Sequence, residues 1–170
     1  THTDSSAASD VYKRQIYEPF IRKAAGFGVA SKEHDKERYE HKYEYCDLLI
    51  AGSGPSGLAS AYAAAKNGAR VILAEDKPRF GGSLLTSDVS INNQSGKEWA
   101  DNIITELKGM TNVTVKNRAQ IFGYYDHNML VMSERVTDHL PKSEEFTPKQ
   151  RLWYIRAKQV VISSGSIERP

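Results

Sequence analysis

Cysteine is nearly absent from this sequence. Cys46 is the single cysteine among 170 residues, so the chain cannot form an internal disulfide, and no metal-ligand spacing surrounds it. Disulfide-dependent domains belong to oxidising compartments, and this composition instead predicts a cytoplasmic protein. Cys46 is interpreted as a strand-edge residue rather than as a redox or nucleophilic site.

The sequence also lacks a strong charge of one sign and a long apolar run. The net charge is only +2, and the basic stretch at residues 32–42 is interpreted as a solvated segment. No segment approaches the roughly 18 consecutive apolar residues of a membrane span. We therefore expect neither nucleic-acid nor membrane partners.

The two ends of the sequence are unusual. Residues 1–15 lack the hydrophobic region of a signal peptide and resemble a translated sequencing adapter, so they are excluded from the fold argument. The sequence stops at Arg169-Pro170, just beyond a strand signal. We expect a piece of a longer polypeptide. In it, residues 16–45 form a charged, extended lead-in with one helical turn near Phe20–Ala25, and residues 46–170 form a partial domain.

The pattern from residue 47 onward predicts a βαβ unit. Asp47–Ala51 and Val71–Ala74 are short apolar runs typical of buried parallel strands. Between them, Ser56–Lys66 is rich in alanine and leucine and is followed by the helix-stop signal Asn67-Gly68. Such a unit crosses over right-handed.

The remaining sequence predicts one more helix and a group of strands. Ser95 and Glu98 have capping-box spacing, and the stripe of Trp99, Ile103 and Leu107 after them is interpreted as core packing. The predicted strands are Val113–Val115, Ala119–Tyr125, Leu130–Val136, Arg151–Ile155 and Lys158–Ile162. The second to fourth of these would form a three-stranded antiparallel meander. The fold class is therefore α/β, an incomplete Rossmann-like FAD/NAD(P)-binding domain in which a parallel sheet carries this meander as a crossover.

The glycine-rich segment at residues 52–57 has the pattern G-x-G-x-x-G between the first strand and the helix. Gly52 would permit the tight turn, Gly54 would let a pyrophosphate approach the backbone, and Gly57 would let the helix pack closely on the strand. The N–H groups at the helix start would bind the phosphates. A glycine-rich turn without a ligand is the alternative, but it leaves Glu75 unexplained.

Glu75 ends the second strand at the spacing typical of dinucleotide-binding proteins. Its carboxylate would accept hydrogen bonds from the adenosine ribose and repel a 2′-phosphate, so that NAD is preferred to NADP. Asp76 and Lys77 would lie beside the adenosine or be ordinary solvated charges. Gly82 and Ser83 would close a loop over the dinucleotide or form a plain loop. The predicted cofactor-binding residues are Gly52, Ser53, Gly54, Pro55, Ser56, Gly57, Glu75, Asp76, Lys77, Gly82, Ser83, Ala119, Ser164 and Gly165.

These features together resemble the flavoproteins with two dinucleotide-binding domains. A narrower resemblance, to the alpha subunits of heterotetrameric sarcosine oxidases, covers nearly all of residues 17–170. It is carried by the segments Tyr17-Glu18-Pro19, Ile21–Gly26, Phe122–Asn128, Arg135–His139, Arg151-Leu152-Trp153 and Gly165–Pro170. Ser163-Ser164-Gly165 stands where the flavoprotein group has an Ala-Thr-Gly-like strand end.

The resemblance implies a role in a complex that oxidises sarcosine to glycine, formaldehyde and hydrogen peroxide. In such complexes the alpha subunit holds a noncovalent NAD, FMN lies at an interface with another subunit, and FAD and sarcosine lie mainly on that subunit. Folate would be handled by another domain. The alternatives are an FAD-binding piece of another amine-oxidising subunit (opine oxidase, hydrogen cyanide synthase or proline dehydrogenase type) and a noncatalytic nucleotide-binding scaffold.

No residue set in the sequence predicts a catalytic centre. His127 and His139 lie in a predicted turn and near a predicted loop, and both are interpreted as structural rather than as general bases. Hydride chemistry would belong to the cofactor. We therefore expect the isolated chain to lack oxidase activity, although it would belong to an oxidoreductase complex.

Overall fold

A computed structural model describes residues 17–26, 33–35, 37–141 and 146–166. The predicted adapter segment and residues 167–170 of the family motif lie outside these ranges. The chain divides into two compact units, residues 1–36 and 37–170. In the first unit, residues 17–24 form a helix, α1, where an extended segment with a single turn was predicted. Arg22 donates to Glu18 one helical turn earlier, at 2.6 Å.

The second unit contains eight strands and two further α-helices among its described residues. Its α-helices are α2 (Pro55–Lys66) and α3 (Gly96–Gly109). Its strands are β1 (Tyr39–Ala51), β2 (Val71–Ala74), β3 (Ser90–Ile91), β4 (Gln94–Ser95), β5 (Val113–Lys116), β6 (Ala119–Tyr125), β7 (Met129–Arg135) and β8 (Gln150–Ile162). Strands β3 and β4 form a small hairpin, and the other six form one sheet in the order β5-β2-β1-β8-β7-β6.

The sheet has a parallel half and an antiparallel half. Strands β5, β2, β1 and β8 are parallel to one another, whereas β8, β7 and β6 pair antiparallel. Strand β8 therefore belongs to both halves, since it is parallel to β1 on one side and antiparallel to β7 on the other. The predicted α/β fold, with a parallel sheet and a three-stranded meander, is confirmed.

Two predicted strand boundaries are wrong. Strand β1 begins at Tyr39 rather than at Asp47, and β8 is one continuous strand where two were predicted. The two strands pair along their whole lengths, from Tyr39 opposite Gln150 to Ala51 opposite Ile162. Polar residues of the predicted lead-in thus become ordered by a ladder with a distant segment. The predicted domain start at residue 46 accordingly falls inside β1, and the second unit begins at Glu37.

Strand β1 changes its environment at Asp47. The N–H groups of Asp47 and Leu48 both donate to the Arg70 carbonyl oxygen, at 2.9 and 3.1 Å. Strand β1 stays in register with β8 through this point, from Cys46 opposite Ala157 to Leu48 opposite Gln159. Cys46 and Leu49 nevertheless pack in the same core despite their odd spacing, so the alternation of side chains between the two faces is reversed here.

Two apolar cores cover the sheet. The first is built from α2, α3 and the strand residues facing them, and it includes Leu58, Ile103 and Leu107. Trp99 packs against this core while partly exposed, so the predicted stripe on α3 has a packing role. The second core contains Leu130, Ile155 and other residues of the antiparallel half. The predicted capping box starts α3, because Ser95 Oγ accepts from the Glu98 N–H at 3.2 Å and the Glu98 carboxylate accepts from the Ser95 N–H at 3.0 Å.

Candidate dinucleotide site

The first glycine of the loop makes the turn from β1 into α2. Gly52 has a φ of 101°, and its N–H donates to the Ala74 carbonyl at 2.8 Å. A Cβ at this position would lie 2.5 Å from the Ser163 carbonyl oxygen. Because both the backbone angle and the available space exclude a side chain, only glycine fits here.

The third glycine allows the start of α2 to pack against the loop. A Cβ on Gly57 would lie 2.0 Å from the Gly52 carbonyl oxygen and 2.6 Å from Ser163 Oγ. The close approach predicted for Gly57 is therefore present, although the nearest neighbours are the loop itself and the end of β8.

The middle glycine is different, because a Cβ on Gly54 would have no heavy atom within 4 Å. Its φ of −65° is accessible to any residue, so neither strain nor crowding within the chain requires glycine here. Gly54 is also the N-cap of α2. No side chain caps this helix start, and its first turn contains no acidic residue. The loop thus has an open side at Gly54, next to helix N–H groups that lack intrahelical acceptors.

The glycine pair at residues 81 and 82 forms the neighbouring wall of this open side. Gly81 and Gly82 both have positive φ, 119° and 53°. A Cβ on Gly82 would lie 2.9 Å from Gly54 Cα, so the two backbones are in contact. Ser83, also predicted for the site, is exposed at the start of a short 3₁₀ helix, and its carbonyl accepts from the Thr86 and Ser87 N–H groups.

Glu75 is buried and faces the glycine loop. It is 7% exposed, and its Oε2 accepts from the Ser53 N–H at 2.9 Å and from Ser53 Oγ at 2.5 Å. Its Oε1 accepts from the Lys77 N–H at 3.1 Å. Burial raises the pKa of Glu75, but hydrogen bonds from Asp76, Ser53 and Lys77 outweigh burial and leave this pKa below its usual value. Glu75 is therefore ionised at neutral pH.

Asp76 and Lys77 lie exposed on the loop after β2. The pKa of Asp76 lies above its usual value, mainly because of its hydrogen bond with Glu75. The loop is fastened by backbone contacts, since the Asp76 carbonyl accepts from Arg135 at 3.0 Å and the Lys77 carbonyl accepts from the Arg118 N–H at 3.1 Å. The two side chains beside Glu75 are thus accessible on a well-anchored backbone.

The other predicted site residues lie at the starts and ends of strands. Ala119 is buried at the start of β6, where its N–H donates to the Glu75 carbonyl at 2.8 Å. Ser164 and Gly165 are exposed just after β8. Ser163 lies closer to the glycine loop, because its Oγ donates to the Gly52 carbonyl at 2.9 Å. Ser163 was absent from the predicted set, although the Ser163-Ser164-Gly165 segment had been singled out.

His127 lies in a turn, and Cys46 lies in an apolar core. His127 occupies a turn with a φ of 58°, and its carbonyl accepts from Arg156 at 3.2 Å. Cys46 lies inside the second core rather than at a strand edge, and burial raises the pKa of its thiol to about 11. Within the described ranges, no group of three or more His, Cys, Asp and Glu residues could hold a metal ion. No helix among the described residues combines the length and apolarity needed to span a membrane.

Comparisons with known proteins agree with this architecture. The chain is 42% identical over 156 residues to sarcosine oxidase subunit alpha from Rhizobium meliloti (strain 1021), which corresponds to 92% of this chain and 16% of that protein. It is 37% identical over 148 residues to sarcosine oxidase subunit alpha from Corynebacterium sp. (strain U-96), covering 86% of this chain and 15% of the relative. The resemblance found in the sequence is thereby confirmed. The chain spans about a sixth of the length of these relatives.

The fold and the family are shown by two further matches. The structure of L-proline dehydrogenase from P. horikoshii shares the fold with a TM-score of 0.57 and 18% identity, over 84% of this chain and 26% of that one. The family model for FAD dependent oxidoreductases matches residues 47–146. This match begins at Asp47 in β1 and includes the glycine loop, Glu75 and the meander strands β6 and β7. The chain therefore belongs to the FAD-dependent oxidoreductase family.

Proposed function

We propose that this chain holds the ADP part of an NAD molecule within the alpha subunit of a sarcosine oxidase-type complex. The observation that carries the proposal is the open side at Gly54. A Cβ at Gly54 would fit without strain and without contacting any other residue of the chain. At Gly52 and Gly57, by contrast, neighbouring atoms leave no room for a side chain. Because nothing within the chain requires glycine at residue 54, we attribute the glycine to a ligand that contacts the backbone there.

The groups around this opening fit a diphosphate. The Ser56 and Gly57 N–H groups belong to the first turn of α2, where the helix dipole favours negative charge. The Gly81–Gly82 turn adds a second backbone wall without side chains. A bound dinucleotide would supply the hydride chemistry, and the chain's residues would hold and orient its adenosine and phosphate groups.

The ribose would meet the Glu75–Asp76 pair rather than a free carboxylate. A carboxylate has about four lone-pair positions. Three of these positions on Glu75 accept hydrogen bonds from the Ser53 N–H, Ser53 Oγ and the Lys77 N–H. The Asp76 carboxyl group competes for the remaining position. The ribose hydroxyls would bind where Asp76 is exposed beside Glu75. A 2′-phosphate at that position would face an ionised carboxylate.

FAD is the second candidate, and the match to a family model of FAD-dependent oxidoreductases favours it. NAD is proposed first because the chain is more specifically similar to sarcosine oxidase alpha subunits. That resemblance implies a noncovalent NAD at this site. The rest of the proposal follows from the same similarity. Other subunits would carry FMN and FAD, sarcosine and folate would be handled outside these residues, and the chain alone would release no hydrogen peroxide from sarcosine.

Calorimetric titration of the complete subunit with NAD, NADP and FAD tests the proposal. Like charges at close range cost on the order of 1–4 kcal/mol, so NAD should bind roughly tenfold or more tightly than NADP. Lys77 and Arg79 are close in the sequence, and Arg135 donates to the Asp76 carbonyl, so these cations could reduce this preference. Tightest binding of FAD would replace NAD by the second candidate, and binding of none of the three would overturn the proposal.

The Gly54→Val variant tests the location of the site. Its side chain would project into the opening, so we expect at least a hundredfold loss of NAD affinity with little change in unfolding free energy. Gly109→Val is a matched control, because Gly109 also has no heavy atom within 4 Å of an added Cβ and lies at the end of α3. Affinity within twofold of the parent in Gly54→Val would place the dinucleotide elsewhere.

A further inference from the structure

Ser53, the second residue of the glycine loop, has a fully buried side chain at a position where the motif does not specify a residue type. Its hydroxyl lies among three segments that are distant in sequence. These segments are the glycine loop itself, the end of β2 at Glu75, and the turn at Gly81. A buried hydroxyl requires hydrogen-bond partners, and both partners of this hydroxyl lie on the segments that surround the opening at Gly54.

The first connection joins the glycine loop to the acidic strand end. Ser53 Oγ donates to Glu75 Oε2 at 2.5 Å, and the Ser53 N–H donates to the same oxygen at 2.9 Å. A hydrogen bond to an ionised acceptor is stronger than one between neutral groups. The hydroxyl is therefore held in one orientation, with its lone pairs directed away from Glu75.

The second connection joins the glycine loop to the Gly81–Gly82 turn. The Gly81 N–H donates to Ser53 Oγ at 3.2 Å and to the Ser53 carbonyl at 3.0 Å. The next residue, Gly82, is the one whose backbone contacts Gly54. The orientation that Glu75 imposes on the hydroxyl thus makes its oxygen an acceptor for the turn that forms the wall of the opening.

We propose that Ser53 is a positioning residue that fixes the Gly81–Gly82 turn against Gly54, so that the turn contacts the diphosphate of the dinucleotide. The inference rests on the proposed dinucleotide site and adds to it a residue and a ligand group. It makes Ser53 more important for ligands that contain a diphosphate than for adenosine alone, because Ser53 occupies Oε2 of Glu75 while the ribose would bind at the exposed Asp76. Ser53 would act through the turn and would not contact the ligand itself.

Titration of the complete subunit with adenosine, AMP, ADP and NAD tests this role. Ser53→Ala removes the Gly81 N–H bond to the hydroxyl but leaves its bond to the Ser53 carbonyl, so ADP and NAD binding should weaken by about fivefold, the effect of one neutral hydrogen bond. Adenosine affinity should change by less than about twofold. The matched control is Ser60→Ala, which removes a hydroxyl from the middle of α2 and should leave all four affinities unchanged. An equal loss for adenosine and ADP, or no loss for ADP, would overturn the inference.

Hydrogen exchange of the parent subunit provides a test that does not depend on a stable variant. ADP should slow amide exchange in residues 78–86, whereas adenosine should leave this segment unchanged. Residues 121–133 serve as an internal reference away from the opening. If ADP binds without protecting residues 78–86, the role assigned to the turn is wrong while the proposed function stands. If neither ADP nor NAD binds the parent, the proposed function itself fails.

Discussion

The two ends of β1 are stabilised in different ways. At its carboxyl end, Ile50 is fully buried and the chain turns through glycines whose neighbours are backbone atoms. At its amino end, Tyr43 and Tyr45 are 77% and 63% exposed, and the strand is held by pairing with β8. The structure at the carboxyl end of β1 therefore requires glycines, which have no side chains. The structure at the amino end requires pairing and side-chain contacts with β8.

Side-chain contacts at the amino end form a network across the sheet. Arg151 donates to Glu40 at 2.7 Å, and Tyr43 stacks on Tyr154 with ring centroids 5.1 Å apart. Glu134 lies deeper, where it accepts from Trp153 Nε1 at 2.7 Å and from Lys116 Nζ at 3.1 Å. A mutation should consequently have different consequences at the two ends. Changes at the carboxyl end should alter ligand binding or abolish folding, and changes at the amino end should only lower stability.

The largest effect is expected for Gly57→Ala. The added methyl group would overlap the Gly52 carbonyl, and backbone cannot move aside as a flexible side chain can. We expect the unfolding free energy to fall by more than about 4 kcal/mol, the range of exceptional single substitutions. Gly54→Ala in the same loop is the control and should cost less than about 1 kcal/mol. Equal midpoints for the two variants in urea unfolding would contradict the distinction between crowded and open glycines.

An intermediate effect is expected for Trp153→Phe at the amino end. The variant keeps an aromatic ring against the second core but removes the indole N–H that Glu134 accepts. Leaving a buried acceptor without its donor costs about 1–3 kcal/mol. Chemical denaturation should show this loss, while NAD affinity should stay within about twofold of the parent. A tenfold change in affinity would show that the two ends are not independent.

The smallest effect is expected at Asp47, where the two ends meet. Hydrogen bonds from Arg70 and then from Lys158 hold the pKa of Asp47 well below its usual value. Because this pKa is lower in the folded state, the stabilisation is complete above the unfolded value of about 4. It is lost as the pH falls through the folded value.

Asp47→Asn should therefore be less stable than the parent at pH 7, and the gap should narrow steadily below pH of about 4. Urea unfolding of both proteins between pH 7 and pH 3 measures the gap. A gap that stays constant over this interval would show that the charge on Asp47 contributes nothing to the free energy of unfolding.

Sequence-based prediction succeeded for the carboxyl end of β1 and failed for its amino end. The βαβ unit, the capping box at Ser95 and the strand Ala119–Tyr125 were predicted because each depends on residue types a few positions apart. The first half of β1 was missed because its residues alternate between charged and aromatic types, without an apolar face of their own. They form a strand because they pair with β8, as where Glu40 lies opposite Arg151, which is 111 positions away.

The sequence by itself determined that a tight, glycine-lined turn joins β1 to α2, because only glycine fits the positive φ of Gly52 and the close contacts at Gly52 and Gly57. Only the tertiary structure decided what surrounds that turn. Ser53 binds Glu75 and Gly81, which are 22 and 28 residues away, and no spacing rule within the motif specifies either contact. The physical reason is that sterics act within a few bonds, whereas hydrogen-bond partners of a buried hydroxyl are chosen by the folding of distant segments.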